Sequence, residues 1–349
     1  MKILTLESTC DETAAAIVEA SDTGNSEIGV LASVVASQTE LHVEFKGVVP
    51  EIAARAHVER ILPVIQRVVE ESGIELKDLD AIAVANTPGL SGSLLVGLMA
   101  AKSLCLGLDK PLLAVNHLQA HIYACQLESQ ESIYPCVGMI VSGGHSHLYR
   151  FRDALDAEYL GGTIDDAAGE AFDKVATMLG LPYPGGPEVS RVAQSGDETA
   201  WSFPRSFIHE DRLDFSFSGL KTAVRYAIAG PGKTDFASVT LDDQQVADLA
   251  ASFQAAVVDC LVTKALQAVR QTGLKQLCVG GGVAANRRFR GQLTEACKEA
   301  NVLLHIAPSQ FCTDNAVMGA IAVERYRAGL FESLDLDIHP GLVRVPHQR

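Results

Sequence analysis

The stretch AVNHLQAHIYA, residues 114–124, carries His117 and His121 four positions apart in a helical pattern. That spacing stacks two imidazoles on one helical face. Two imidazoles are most of a metal site, or else two core histidines with ordinary hydrogen-bond partners, and the pair alone does not decide between them. The zinc-peptidase chemistry built on such a pair requires H-E-x-x-H, because the glutamate is its general base. Here the intervening residues are Leu118, Gln119 and Ala120, so that mechanism has no base. A third ligand is on offer in CTDNA, where Asp314 is also suited to cap the final helix. Two imidazoles and one carboxylate leave coordination positions open for a ligand's oxygens.

A second group of residues suggests phosphate binding. VSGGHS (141–146, with Val141, Ser142, Gly143, Gly144 and His145) and VGGGVAAN (279–286) each follow an apolar strand. Such turns expose consecutive backbone N–H groups that can hold phosphate oxygens. A further tip, with Asp11, Glu12 and Thr13, joins two strands near the start, and the three together point to a nucleotide cleft. GPGKT (230–234) looks like the end of a Walker loop, but the first glycine of that motif falls on Ala227, so an ordinary loop is expected. Arg55, His57 and Arg60, and again Arg287, Arg288 and Arg290, are either solvated helix faces or a local footprint for RNA phosphates.

These residues need elements to hold them. KILTLEST and AAAIVEA read as the strands of a hairpin around the acidic tip. Pro50 opens a long helix that the inner Pro63 is expected to kink. LDAIAVANTPG reads as a buried strand, SGSLLVGLMAAKSLCLGL as a closely packing small-residue helix, and PLLAVNH as the strand before the histidine helix. The opening pattern returns at residue 136, where CVGMIVSGGHSHLYRF is again strand, tip, strand. KQLCVGGGVAANRRFRGQL then gives strand, glycine turn and helix, and the segment from VLLHIAP onward ends on a helix. Residues 195–245 read as the least regular region, with loops and a lid. The near-duplication implies an α/β protein of two lobes, each opening on a hairpin whose tip faces a shared cleft.

Composition bounds the function. The 349 residues carry a net charge of −15, which sets the chain against a polyanion and leaves RNA to a local patch or a partner. Eight cysteines without a C-x-x-C argue for buried thiols in a reducing compartment rather than disulfides or a zinc ribbon. The start lacks a signal-peptide core, and no apolar run reads as long enough to cross a bilayer, so a cytoplasmic protein without membrane contact is expected.

The motifs ESTCDET, HVEFKGVVPEIAARAH, NHLQAH, VSGGHS, GEAFDKVA, YPGGP, FSFSGLKTA, GGGVAANRRFR and CTDNA occur in an order and spacing that resemble the universal tRNA adenosine threonylcarbamoyltransferase family. The resemblance covers about residues 1–328. It implies a two-lobed actin-like ATPase fold of the sugar kinase/Hsp70/actin class. The N-terminal lobe would span 1–115 with the helix near 315–330 packed back on it, the C-terminal lobe 116–314, and a tail 331–349. It implies transfer of a threonylcarbamoyl group from threonylcarbamoyl-adenylate to the exocyclic amine of the adenosine beside the anticodon, in tRNAs reading codons that begin with A. His117, His121 and Asp314 match the family's metal ligands, for one divalent ion, iron or zinc. The loop Val141 to His145 matches the phosphate or carbamoyl end of the donor site, and Asp173, Gly186 and Asn286 match positions holding its threonyl and adenosine parts. Asp11 and Glu12 sit at the first phosphate loop, and His145 or Glu12 is the expected proton acceptor. Glu188, Val189 and Ser190 follow YPGGP where many relatives place an Asp at the third position, and TPGLSGSLLVG matches a family segment without a chemical role. The implied partners are the tRNA anticodon stem-loop, a paralogous dimer partner, a small P-loop ATPase and an upstream threonylcarbamoyl-adenylate synthase. The alternative is a kinase or ATPase switch of the same fold, which needs Asp11 and the glycine turns but not the histidines.

Overall fold

The computed structural model describes residues 1–21, 28–230 and 239–341. Its chain forms two compact units, one of Met1–Tyr134, Arg152–Ala157 and Thr313–Arg349, the other of Pro135–Phe151 and Glu158–Cys312. The sequence reading ended the first lobe at residue 115; by contacts the first unit runs on to Tyr134 and takes the histidine helix with it.

The first unit is built on five strands, β1 (Lys2–Glu7), β2 (Glu12–Glu19), β3 (Gly29–Ser37), β4 (Ala81–Thr87) and β5 (Leu112–Asn116), in the order β3-β2-β1-β4-β5. β1 is antiparallel to β2 and parallel to β4, and β4 is parallel to β5. Both faces of β1 and β4 are covered, which is why KILTLE and AIAVANT are buried almost throughout. The second unit repeats the plan with β6 (Cys136–Val141), β7 (Ser146–Phe151), β8 (Ala157–Gly162), β9 (Gln276–Gly280) and β10 (Leu303–Ile306) in the order β10-β9-β6-β7-β8. Numbered within its own unit, each sheet runs 3-2-1-4-5, so the repeated hairpin seen in the sequence is a repeated sheet.

Helices α1 (Thr39–His42), α2 (Pro50–Ser72), α3 (Ser91–Leu108) and α4 (His117–Tyr123) belong to the first unit. α5 (Ala168–Met178), α6 (Gly185–Val192), α7 (Ser218–Ala229), α8 (Asp243–Thr272) and α9 (Arg287–Glu299) belong to the second. α10 (Ala322–Arg327) returns to the first. α2 runs on through Pro63, which lies on its exposed face. The hairpin tip is Ser8–Asp11, and Glu12 and Thr13 are already in β2. Residues 195–245 are less irregular than expected, since α7 lies inside them, while Pro231–Thr234 of GPGKT fall outside the described residues.

α3 and α8 are each long and apolar enough to span a bilayer, with a mean hydropathy of 1.5, which the sequence reading missed. α8 is mostly buried in its own unit, and α3 turns Leu94, Gly97, Leu98, Ala101 and Cys105 inward. Residues 330–341 are tied to the first unit: Glu332 bridges to Leu112 at the edge of the first sheet, and the His339 amide donates to the Asn86 carbonyl at 2.9 Å. All eight cysteines are free, and all but Cys10 are buried.

Candidate metal centre and glycine turns

α4 begins where β5 ends. Asn116 caps it, its Oδ1 accepting from the amides of Leu118 at 2.9 Å and Gln119 at 3.2 Å. The cap fixes the first turn, and the four-residue spacing then places His117 and His121 together, with ring centroids 4.6 Å apart. Asp314 comes from the other end of the chain. It does not cap the final helical segment, as the sequence reading allowed; Asn315 does, accepting from Met318 N at 3.2 Å. That segment is anchored on β1, where Thr5 Oγ1 donates to the Ala316 carbonyl at 2.6 Å and Gly319 lies so close to Thr5 that a Cβ there would fall 2.9 Å from its side chain. Asp314 is thereby left facing the histidines.

Asp314 Oδ1 lies 3.2 Å from His121 Nε2 and 3.5 Å from His117 Nε2. Ligand atoms about 2.1 Å from a common ion stand about 3.0–3.4 Å apart at octahedral or tetrahedral angles, so these separations suit one. The donor atoms of all three residues lie within 4.8 Å of one another. Both nitrogens of the fully buried His121 lack an aligned hydrogen bond. A buried imidazole in that state is costly unless something else satisfies it, and a bound cation does so. The residues fit a divalent metal.

The electrostatics agree. Burial opposes protonation of His117, but the Glu7 and Asp314 carboxylates outweigh it and push its pKa up to about 9. Burial dominates at His121 and holds it below the usual histidine range. Burial also raises Asp11, with Asp314 adding to the effect. It lifts Glu12 to about 7, against the hydrogen bond that Ser37 Oγ donates to its Oε1 at 2.9 Å. The other oxygen, Glu12 Oε2, is buried with no partner. The first unit therefore gathers several mutually repelling carboxylates around two imidazoles, an arrangement that attracts a cation.

In the second unit the VSGGHS turn is closed by Ser142 N donating to the His145 carbonyl at 2.8 Å. Its carbonyls rest on the start of α5, accepting from Gly169 N at 3.2 Å and Glu170 N at 3.0 Å. A Cβ on Gly169 would meet Ser142 O at 2.6 Å, so glycine is required for this seat. Gly143 and Gly144 are exposed and have open space where a side chain would stand. Gly281 of the other turn has φ +98, and a Cβ there would collide with Val141 O, so this turn packs against the end of β6.

Asp173 Oδ1 accepts from Gly185 N at 2.7 Å, which ties α5 to the YPGGP turn and the open space beside Gly186. Asn286 is a helix cap: its Oδ1 accepts from Phe289 N at 3.0 Å and its Nδ2 donates to Gln254 Oε1 at 2.8 Å. Ser190 is half-buried on α6. His145 stands 5.4 Å, centroid to centroid, from His147.

The structure also uses residues that sequence reasoning left without a role. Glu7 and Thr9 meet the Nδ1 side of His117. FSFSGLKTA is fastened by two aspartates, Asp165 accepting from Ser216, Phe217 and Ser218, and Asp166 from Lys174 and Lys221. The arginine clusters are largely occupied. Arg55 pairs with Glu51, Arg60 donates to Ser37 O, and Arg288 pairs with Glu198. Arg290 donates to the carbonyls of Ala284 and Ala307, both at 2.6 Å. Among these arginines Arg287 and Arg55 remain exposed, whereas Arg290 is committed to backbone carbonyls.

Residues 29–321 match the family model described as tRNA N6-adenosine threonylcarbamoyltransferase. A protein of that name from Rhodopirellula baltica is 57% identical, over 98% of this chain and 97% of its own. The chain belongs to the tRNA N6-adenosine threonylcarbamoyltransferase family. Solved structures share its fold at low identity. HypF of T. kodakarensis aligns with a TM-score of 0.61 at 16% identity, over 94% of this chain and 48% of that one. The activator of the 2-hydroxyisocaproyl-CoA dehydratase from Clostridium difficile aligns at 0.52 and 13%, over 95% and 97%. The fold is of the actin-like ATPase class expected from the motifs.

Proposed function

We propose that the chain transfers the threonylcarbamoyl group of threonylcarbamoyl-adenylate to the exocyclic amine of the adenosine beside the anticodon, in tRNAs reading codons that begin with A. The observation that carries this reading is its 57% identity, across almost the full length of both chains, to a protein named for that transfer. In the reaction the amine nitrogen bonds to the carbamoyl carbon, the bond from that carbon to the phosphate oxygen breaks, AMP leaves and the amine loses a proton. The donor is an activated anhydride, so the protein need supply no nucleophile. Its work is to orient the donor, to stabilise the charge that develops and to accept the proton.

The roles follow the chemistry of the residues. Ser142, Gly143, Gly144 and His145 offer backbone donors and open space to the phosphate or carbamoyl end. Asp173 and Gly186, joined through Gly185, bind the threonyl and adenosine parts together with Asn286. Glu12 is the proton acceptor we favour over His145, because one of its oxygens is buried without a partner and its pKa lies about 7. Asp11 adds negative charge beside it. His117, His121 and Asp314 would hold a divalent ion, iron or zinc, which would supply Lewis-acid chemistry at the site. The net charge of −15 and the paired arginines support shared recruitment of the anticodon stem-loop, with a paralogous partner and a P-loop ATPase contributing surface in the cytoplasm.

The test is nucleoside mass spectrometry of tRNA from cells lacking this chain. Threonylcarbamoyladenosine should vanish, return with wild type and stay absent with His121→Ala. Persistence of the modified base after depletion refutes the assignment, and rescue by His121→Ala refutes the role of the metal.

A further inference from the structure

His117 and His121 are treated unequally by their surroundings. Neither nitrogen of His121 has an aligned hydrogen bond. His117 has one nitrogen on each side of the site: Nε2 lies 3.5 Å from Asp314 Oδ1, while Nδ1 lies 3.0 Å from Glu7 Oε2 and 3.3 Å from Thr9 Oγ1. Glu7 is the last residue of β1, paired in register with Ala14, and is only 3% exposed. Its other oxygen accepts from the Thr9 amide at 2.7 Å, so both oxygens of the buried carboxylate are engaged.

The turn that carries this arrangement is strapped to α3. Leu90 N donates to Thr9 O at 2.8 Å, Ser8 Oγ to Ser93 O at 2.9 Å and Ser93 Oγ to Cys10 O at 3.2 Å. A Cβ on Gly89 would fall 2.6 Å from Thr9 O, and one on Gly97 would collide with Ser8 Oγ. This gives the segment TPGLSGSLLVG its role: its small residues let α3 approach closely enough to fix residues 8–10.

We propose that Glu7 is a positioning residue for the metal centre, holding a proton on Nδ1 of His117 so that the Nε2 lone pair is presented to the cation. The inference rests on the reading that His117, His121 and Asp314 bind a divalent ion. A carboxylate behind an imidazole fixes its tautomer and ring angle and raises its basicity as a ligand. Glutamine cannot replace it. The single amide oxygen is wanted by both Thr9 N–H and His117 Nδ1–H. If it stays with Thr9, the amide N–H faces Nδ1, and the proton of His117 moves to Nε2, where a metal must bind.

The experiment is a competition titration of full-length protein with zinc against a chromophoric chelator, and the d–d spectrum with cobalt(II), for wild type, Glu7→Gln, Glu7→Ala and His121→Ala. Glu7→Gln and Glu7→Ala should weaken zinc binding by about 10–100-fold and alter the cobalt spectrum, in titrations run at a temperature where circular dichroism shows each variant folded. If Glu7→Ala does not fold, the near-isosteric Glu7→Gln decides alone. Zinc affinity within about twofold of wild type in Glu7→Gln overturns this inference and leaves the metal centre standing. Failure of wild type to bind either metal more tightly than His121→Ala overturns the metal centre, and this inference with it.

Discussion

Oδ1 of Asp314 and Nε2 of His121 stand 3.2 Å apart, although one residue precedes the final helical segment and the other lies on α4. A cation between them links elements that are distant in sequence, so its removal should loosen the first unit. Metal-stripped protein is expected to unfold about 4 °C or more below protein with metal at 100 times its dissociation constant. Asp314→Ala should lose that difference. Since His117 is protonated below about 9 in the metal-free protein, binding must displace a proton, and zinc affinity should rise with pH from 7 toward 9. Scanning calorimetry and competition titrations at several pH values check both. A metal-dependent shift retained in Asp314→Ala would place the ion elsewhere.

Glu12 supplies a pH dependence of opposite character. Its folded-state pKa of about 7 lies above the ordinary carboxylate value, chiefly through burial. The folded chain therefore binds this proton more tightly than the unfolded chain. Ionisation costs stability in full above pH 7, partly between 4.5 and 7, and not at all below. Allowing for its partial exposure, Glu12→Gln should stabilise the protein by roughly 1–2 kcal/mol at pH 8 and by nothing at pH 4. The same substitution should remove the rise in transfer rate through pH 7 that a general base produces. A variant with an unchanged pH–rate profile would exclude Glu12 as proton acceptor.

The sequence carried the repeated hairpin because buried central strands read as mostly apolar runs: CVGMIV is apolar throughout, and KILTLE is interrupted between its charged ends only by Thr5. It carried the histidine pair because helical spacing is local. It did not carry the approach of Asp314, which depends on Thr5 and Gly319 seating a segment more than three hundred residues away in the chain. Glu7 was invisible for a similar reason: at the end of an apolar strand it reads as a strand boundary, and only the fold brings Nδ1 of His117 to it. The arginines of ANRRFRGQL show the limit of spacing in another way. Their spacing matches a basic helix face, but their partners Glu198, Ala284 and Ala307 come from other segments.

Those partners separate the arginines by experiment. Arg290 satisfies two backbone carbonyls, and Arg290→Ala should cost about 2–3 kcal/mol in chemical denaturation by leaving them unpaired. Arg287 is exposed, and Arg287→Ala should change stability by no more than about 0.5 kcal/mol. With Arg288 held by Glu198, the Arg287→Ala, Arg288→Ala double variant should shift the slope of log affinity for tRNA against log salt by less than about one. A larger fall in slope would return this helix to the RNA interface.

The two glycine turns of the second unit should respond oppositely to alanine. At Gly281, φ +98 and the Val141 carbonyl leave no room for a methyl group, so Gly281→Ala should destabilise by about 2–3 kcal/mol. At Gly143 a methyl group meets nothing within 4 Å, so Gly143→Ala should unfold at the wild-type temperature. If the open side of that turn receives the donor's phosphate or carbamoyl group, the same methyl occupies ligand space. The Michaelis constant for threonylcarbamoyl-adenylate should then rise by about tenfold or more. Unchanged kinetics in a stable Gly143→Ala protein would move the donor away from this turn, whereas a fall in stability matching that of Gly281→Ala would show that its open side is needed for folding instead.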